Sequence, residues 1–408
     1  MGFTTKVLHT KPNKNDAYGA LRFPIYANAA FEFASAEDIE AAFKGTKPAH
    51  AYSRSSNPTV ENFEKTILNV TGGIACIGFS SGMGAISACL LALCKSGDEI
   101  VSSNKLFGTT YSLFTDTFAE YGIVVKCVDF NSIDDVRNAI TNKTRAIFFE
   151  TITNPQIEIY AIDELVALAN SYAIPLVADT TATPPYMFDA KLHGIHISVL
   201  SSTKFISGGG TAIGGLLIDN GLYDWKHHAN FSEEAKKFGA FSFIRKLRLL
   251  TYRNLGACMS VQAAQSFSLG LETMELRIDR ACANAQKVAE FLEQHSKVQQ
   301  VRYAGLERNI YNERAQRFFT YPGSIICFEL SSKQNCFTLI NAVQVIRRAT
   351  NLHDNKTLII HPSSTIYSEF SLEKQTEIGV NDTMIRLSVG IENCEDIIAD
   401  LSLALSNL

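Results

Sequence analysis

The chain has 408 residues, 46% of them hydrophobic, and 37 Lys and Arg stand against 41 Asp and Glu for a formal net charge of −4. That length suffices for two or three domains with ordinary cores, and the charge balance gives no electrostatic case for binding nucleic acid or an anionic membrane surface. Nine cysteines lie scattered, with no Cys-x-x-Cys pair and no cysteine and histidine spacing of zinc type, which predicts no metal and a reduced, cytoplasmic protein.

Residues 1–55 are rich in Asn, Pro, Ala and aromatics and read as an extended N-terminal arm. The start, Met1-Gly2-Phe3-Thr4, lacks the apolar core of a signal segment. Tyr52-Ser53-Arg54-Ser55-Ser56-Asn57-Pro58-Thr59 then precedes a helix, with Asn57 as N-cap and Pro58 in the first turn. Taken alone, it is only a helix start. The longest apolar stretch, 74–94, is interrupted by Gly78, Ser80, Ser81, Gly82 and Gly84, so a strand, turn and helix suit it better than a membrane span.

From there short β-branched or aromatic runs alternate with helical patterns: strands at 74–79, 99–102, 124–128, 146–149, 176–178, 197–200 and 214–218, with helices such as 163–172 between them. Several runs are apolar on both faces, which predicts a mostly parallel sheet covered on both sides. In such sheets ligands bind at the carboxyl ends of the strands. The basic run Arg245-Lys246-Leu247-Arg248 reads as the solvated face of an amphipathic helix. Beyond 252–256 a long helical pattern runs to about 296, followed by strands at 323–329 and 384–389 and a closing helix at 395–406. The expected organisation is an arm (1–55), a large domain (56–254) and a smaller α+β domain (255–408).

Four strand ends carry chemistry. Lys204 lies in Ser201-Ser202-Thr203-Lys204-Phe205-Ile206-Ser207-Gly208-Gly209-Gly210, shortly after Asp179 in Val177-Ala178-Asp179-Thr180-Thr181. An amine that forms a Schiff base with an aldehyde, and a carboxylate that keeps a ring nitrogen protonated, are what a pyridoxal phosphate site requires. Phe79-Ser80-Ser81-Gly82-Met83-Gly84 closes a strand and opens a helix near Ala85, where unpaired N–H groups and close backbone approach suit a phosphate. It also suits a plain tight turn, while a dinucleotide fingerprint is disfavoured by Ser87 at its third glycine position. Ser201 and Thr203 would add hydroxyls to the same phosphate. Arg386, alternating with apolar neighbours on a strand, needs either an internal acidic partner or a substrate carboxylate, and Asn154 in Glu150-Thr151-Ile152-Thr153-Asn154-Pro155 is either an Asx turn or a ligand.

In order and spacing, Tyr52-Ser53-Arg54 with Asn57-Pro58-Thr59, Ser80-Ser81-Gly82-Met83, the Glu150 to Pro155 segment, Ala178-Asp179-Thr180-Thr181, Ser201-Ser202-Thr203-Lys204 and Ile385-Arg386-Leu387-Ser388-Val389-Gly390 closely resemble one family over essentially the full chain. This is the pyridoxal-phosphate-dependent family of cysteine and methionine metabolism, which includes cystathionine synthases and lyases, methionine γ-lyases and O-acetylhomoserine sulfhydrylases. The resemblance implies an α/β fold of the aspartate aminotransferase type (fold type I), with Lys204 holding the cofactor and Asp179 on its ring nitrogen. It further implies Gly82, Met83, Ser201 and Thr203 at the phosphate, Thr181 near the ring, and Asn154 and Arg386 at the substrate carboxylate. Tyr52 and Arg54 would reach into a neighbouring subunit's site, in a homotetramer built as a dimer of dimers.

The chain departs from the family pattern at Leu106-Phe107-Gly108-Thr109-Thr110, where a tyrosine usually stacks on the ring. Phe107 keeps the stacking and loses the phenol that serves γ-leaving groups. Asn351-Leu352-His353 stands where Ser-Leu-Gly is common, and Tyr367 or Tyr111 is a candidate replacement hydroxyl. A good leaving group needs less acid assistance than a thiolate. The expected reaction is therefore γ-replacement on O-acetyl-L-homoserine by sulfide or a small thiol, giving homocysteine or methionine plus acetate. The alternative is a methionine γ-lyase or cystathionine lyase, releasing 2-oxobutyrate, ammonia and a thiol. A cofactor-binding protein without activity is a third reading, which would not require Lys204, Asp179 and Arg386 together.

Overall fold

The computed structural model describes residues 1–12 and 16–408. Seven strands form the larger sheet: β1 (Ala75–Phe79), β2 (Glu99–Ser103), β3 (Val124–Val128), β4 (Thr144–Glu150), β5 (Leu176–Asp179), β6 (Ile197–Ser201) and β7 (Gly215–Asp219). Their order is β1-β7-β6-β5-β4-β2-β3. The pairs from β3 to β6 are parallel and β7 runs antiparallel to both neighbours. Every strand read from the sequence in this region is present, shifted by at most two residues at an end.

Burial on both faces explains why these strands lack polar alternation. Phe148 and Val177 point into one core with Ile77, Phe79, Ile197 and the helix Gly82–Leu93. Their chain neighbours Phe149 and Ala178 point into the opposite core with Leu165 and Leu168 of the helix Ile162–Ser171. Successive strand side chains alternate faces, so both faces must be apolar, each buried large side chain contributing about 1.5–3 kcal/mol. The helix Pro58–Thr71 starts as its sequence predicts: the Asn57 side chain accepts the Thr59 N–H at 2.9 Å, Pro58 occupies the first turn, and Gly72 ends it at φ 67°.

The long helical pattern divides into Val261–Glu272 and Met274–Gln294, broken at Thr273. The first of these packs on Pro58–Thr71, with the Phe63 and Phe267 rings 5.7 Å apart. A second sheet follows, β8 (Gln300–Arg302), β9 (Ile325–Glu329), β10 (Arg347–Arg348), β11 (Leu358–Ile360) and β12 (Met384–Ser388), in the order β10-β11-β12-β9-β8. Along β12, Ile385 and Leu387 enter the core shared with Met274–Gln294 and Cys394–Leu405. Arg386, between them, faces the other way. The basic run differs from its expected role at two positions: Arg248 turns inward, its Nη2 donating to Glu64 Oε2 at 2.9 Å and to the Cys76 carbonyl at 3.1 Å, and the half-buried Lys246 donates to the Asn230 carbonyl at 3.0 Å over the Phe231 ring.

Among the described residues no helix is long and apolar enough to cross a membrane, and no group of three or more His, Cys, Asp or Glu is placed to hold a metal ion. All nine cysteines are free.

Candidate active site

A cavity of about 600 Å³ opens at the carboxyl ends of β1, β4, β5 and β6 and is walled on its far side by β9, β12 and the turn after β10. Ten of the residues named from the sequence line it: Gly82, Met83, Phe107, Asn154, Asp179, Thr181, Ser201, Thr203, Lys204 and Arg386. The parallel strands explain the convergence, since each ends at the same edge and turns into a loop or helix there. Tyr52 and Arg54 do not line it. Arg54 instead donates from Nη1 to the Arg253 carbonyl at 2.7 Å, with its guanidinium 5.5 Å from the Tyr52 ring centroid.

Ser81 caps the helix Gly82–Leu93, its hydroxyl accepting the Gly84 N–H at 3.0 Å. The N–H groups of Gly82 and Met83 are thereby left at the first turn, where a helix offers unpaired donors. A side chain at Gly82 would sit 2.9 Å from the Ser201 Cβ, so only glycine lets the turn close against β6. The hydroxyls of Ser201 and Thr203 both reach the Gly214 carbonyl, at 3.4 and 3.3 Å. Thr181 accepts the Ser201 N–H at 2.8 Å.

Two acidic side chains, Glu150 and Asp179, also line the cavity. Glu150 and Asp179 are register partners on β4 and β5. Burial raises the carboxyl of each above its usual range, and the neighbouring Asp179 charge adds to the effect on Glu150, which is pushed up to about 8. Asp179 accepts the Thr181 N–H at 2.8 Å and Glu150 the Phe107 N–H at 2.6 Å. Neither has a cationic side chain in contact among the described residues. Sequence reasoning quoted Glu150 within a motif and assigned it no place in the site; its pairing with Asp179 depends on strand register.

Two cations line the same cavity. Arg386 is 1% exposed and donates from Nη1 to Asn154 Oδ1 at 3.1 Å and from Nη2 to the carbonyls of Thr350 and Asn351 at 3.0 and 3.1 Å. Its Nε has no partner. Burial lowers its pKa to about 10. The internal salt bridge weighed from the sequence is absent among the described residues, leaving a buried guanidinium that faces a cavity without a counter-ion. The Lys204 amine is lowered to about 8, by burial first and by the Arg386 charge second.

The two expected replacement hydroxyls are elsewhere. Tyr367 is fully buried and its hydroxyl is occupied by the backbone carbonyls of Leu106 and Asn154, at 2.8 and 2.9 Å. The Tyr111 ring packs edge-on against Phe370, and the Lys374 ammonium lies 5.2 Å from its centroid. Neither lines the cavity. His353, at φ 54°, is stacked on Phe205 with centroids 4.1 Å apart; burial, then the charges of Lys204 and Arg386, keep it neutral well below its usual pKa.

The model of the Cys/Met metabolism PLP-dependent enzymes matches residues 4–406. The chain belongs to this family. An L-methionine gamma-lyase from Fusobacterium nucleatum subsp. polymorphum is 36% identical over 409 residues, covering 100% of this chain and 98% of that protein. Among solved structures, an O-acetylhomoserine sulfhydrylase of Wolinella succinogenes is 42% identical with a TM-score of 0.78, over 86% of this chain and 99% of that one. A Campylobacter jejuni protein described as an O-acetylhomoserine (thiol)-lyase and holding N'-pyridoxyl-lysine-5'-monophosphate is 32% identical with a TM-score of 0.93, over 100% of both chains. The α/β architecture, a large mostly parallel sheet and a smaller second sheet, is that of these pyridoxal-phosphate enzymes.

The residues present fit the family's cofactor. A buried carboxyl pair without a cation suits a protonated ring nitrogen, a helix N-terminus beside two hydroxyls suits a phosphate, and a lysine whose neutral form is favoured suits attack on an aldehyde.

Proposed function

We propose that this family member catalyses γ-replacement on O-acetyl-L-homoserine, with sulfide or a small thiol as nucleophile, releasing acetate and giving homocysteine or methionine. Pyridoxal phosphate, when bound, supplies the electron sink that lets protons leave the substrate's α- and β-carbons. Gly82, Met83, Ser201 and Thr203 would hold its phosphate, Asp179 would keep its ring nitrogen protonated, and Phe107 would offer a face for its ring. Arg386 and Asn154 fix the substrate carboxylate in the position where the guanidinium now lacks a counter-ion. Lys204 would hold the cofactor in the resting enzyme, and its free amine would take the substrate's α-proton on nitrogen and return it.

The observation that carries the choice of leaving group is the cavity's lining, which among the described residues of this chain contains Phe107 and no tyrosine. With no phenol from this chain's own lining to donate a proton at the γ-position, acetate departs more readily than a thiolate. The identity to the Fusobacterium γ-lyase supports a second reading, elimination from methionine or cystathionine, which needs a proton donor from elsewhere. Supplying O-acetyl-L-homoserine with and without sulfide separates them: homocysteine that forms only with sulfide supports replacement, and rapid 2-oxobutyrate from L-methionine alone overturns it.

Tyr52 and Arg54 complete the phosphate site of a second copy in this reading. Exposed apolar side chains on and near the arm, including Leu21, Phe43 and Tyr52, are then covered in a homotetramer, and the enzyme works in the cytoplasm.

A further inference from the structure

The turn after β10 reaches Lys204 from the second sheet. Its Asn351 accepts a hydrogen bond from the Lys204 Nζ at 2.6 Å, across 147 residues of chain, and donates from Nδ2 to Asp354 Oδ2 at 3.2 Å. A carboxylate only accepts, so Asp354 takes the NH₂ end of the amide and turns its oxygen to the lysine. The other Asp354 oxygen accepts the Lys356 N–H at 3.1 Å, and the side chain is only 10% exposed. The glycine loop behind Lys204 is shaped to this pair: a Cβ at Gly210 would lie 3.0 Å from both Asn351 Nδ2 and Asp354 Oδ2. A serine at position 351 would lack this property, because a hydroxyl both donates and accepts and cannot be locked one way.

We propose that Asn351 and Asp354 are positioning residues, the carboxylate locking the amide so that its oxygen is the resting station of the Lys204 amine whenever that amine is free. This rests on the reading of Lys204 as the proton-carrying lysine. A neutral amine that donates one N–H to Asn351 keeps its lone pair free for the substrate's α-proton. On taking that proton it becomes an ammonium, which the amide oxygen and the carboxylate behind it stabilise, and it then gives the proton back. The charged and titratable groups around it have opposing effects: Arg386 disfavours the ammonium, Asp354 favours it, His353 stays neutral, Glu150 and Asp179 lie in the same cavity, and Lys356 reaches Asp354 only at 4.0 Å.

The test measures Lys204 in the full chain freed of cofactor, as the pH dependence of its acylation by acetic anhydride, read by peptide mass. Asn351→Ala and Asp354→Asn should each lower the apparent pKa of the amine by about half a unit or more. In the reconstituted enzyme both should lower kcat by about tenfold or more, with KM for the amino acid changed less than about twofold, because neither side chain holds the substrate carboxylate. An Asn351→Ser chain should give an intermediate shift. No shift in either variant, or a shift in only one, overturns the proposal. The labelling uses no amino-acid substrate, so its result stands apart from whether the enzyme replaces or eliminates.

Discussion

The two ends of the cavity are built differently. The acidic end, Glu150 and Asp179, is carried by adjacent strands of the large sheet locked in register. The cationic end is assembled from separate places: Lys204 follows β6, Arg386 lies on β12 of the second sheet, and Asn154 and Asn351 sit in loops. Neither Glu150 nor Asp179 is paired with Lys204 or Arg386, and the one carboxylate near Lys204, Asp354, reaches it only through Asn351. A molecule with a cationic ring at one end and an anionic carboxylate at the other is what such a cavity complements, and each end is held at a cost to the free protein.

Removing the amine attacks this contrast most directly. Lys204→Ala should reduce turnover by about a thousandfold or more, measured as homocysteine formed from O-acetyl-L-homoserine and sulfide; substantial residual activity would refute the assignment. Arg386→Leu should separate function from stability. It removes a charge-assisted carboxylate contact of about 1.5–3 kcal/mol, so KM should rise about 10-fold to 150-fold. It also removes a buried unpaired charge, so the melting temperature of the cofactor-free chain should hold or rise. A fall in melting temperature with KM unchanged would mean that Arg386 serves packing alone.

At the acidic end the sign runs with pH. The Glu150 carboxyl is raised from 4.5 to about 8 in the fold, so the folded chain binds the proton more tightly and stability is lost as pH rises between those values. Glu150→Gln should flatten that loss in the cofactor-free protein, by up to about 1.4 kcal/mol per pH unit, measured by denaturant unfolding from pH 5 to 9. Equal slopes for the two chains would contradict the raised carboxyl. His353 gives a smaller effect on the acid side. Its folded pKa is depressed below 6.5, so wild type should lose stability as pH falls below about 6.5, while His353→Asn, which tolerates the left-handed backbone, should lose less. Parallel curves would place His353 outside this account.

Lys204, Arg386 and Asn154 on the cationic side and Asp179 on the acidic side could be read from sequence, whereas Glu150 and the contact made by Asn351 could not. The strands of the large sheet announce themselves by β-branched or aromatic runs of three to six residues, and Asp179, Lys204 and the Gly82 turn lie in motifs next to strand ends. The second sheet was half hidden, because β8, β10 and β11 are two or three residues long and Arg347–Arg348 has no apolar signal at all. Asn351 was visible as a departure from Ser-Leu-Gly, yet nothing local shows that its side chain meets Lys204. Tyr367 failed as a substitute phenol for a related reason: the carbonyls that occupy its hydroxyl come from Leu106 and Asn154, distant in the chain.

The most direct test of the central claim is a competition. The purified enzyme is given equal O-acetyl-L-homoserine and L-methionine with excess sulfide, and homocysteine and 2-oxobutyrate are followed together. If Phe107 leaves the γ-position without an acid from this chain, as proposed, homocysteine should accumulate first and in large excess, and 2-oxobutyrate should stay near background. Comparable or greater 2-oxobutyrate from methionine would contradict the account and make the enzyme a γ-lyase with a proton donor outside the cavity lining of this chain.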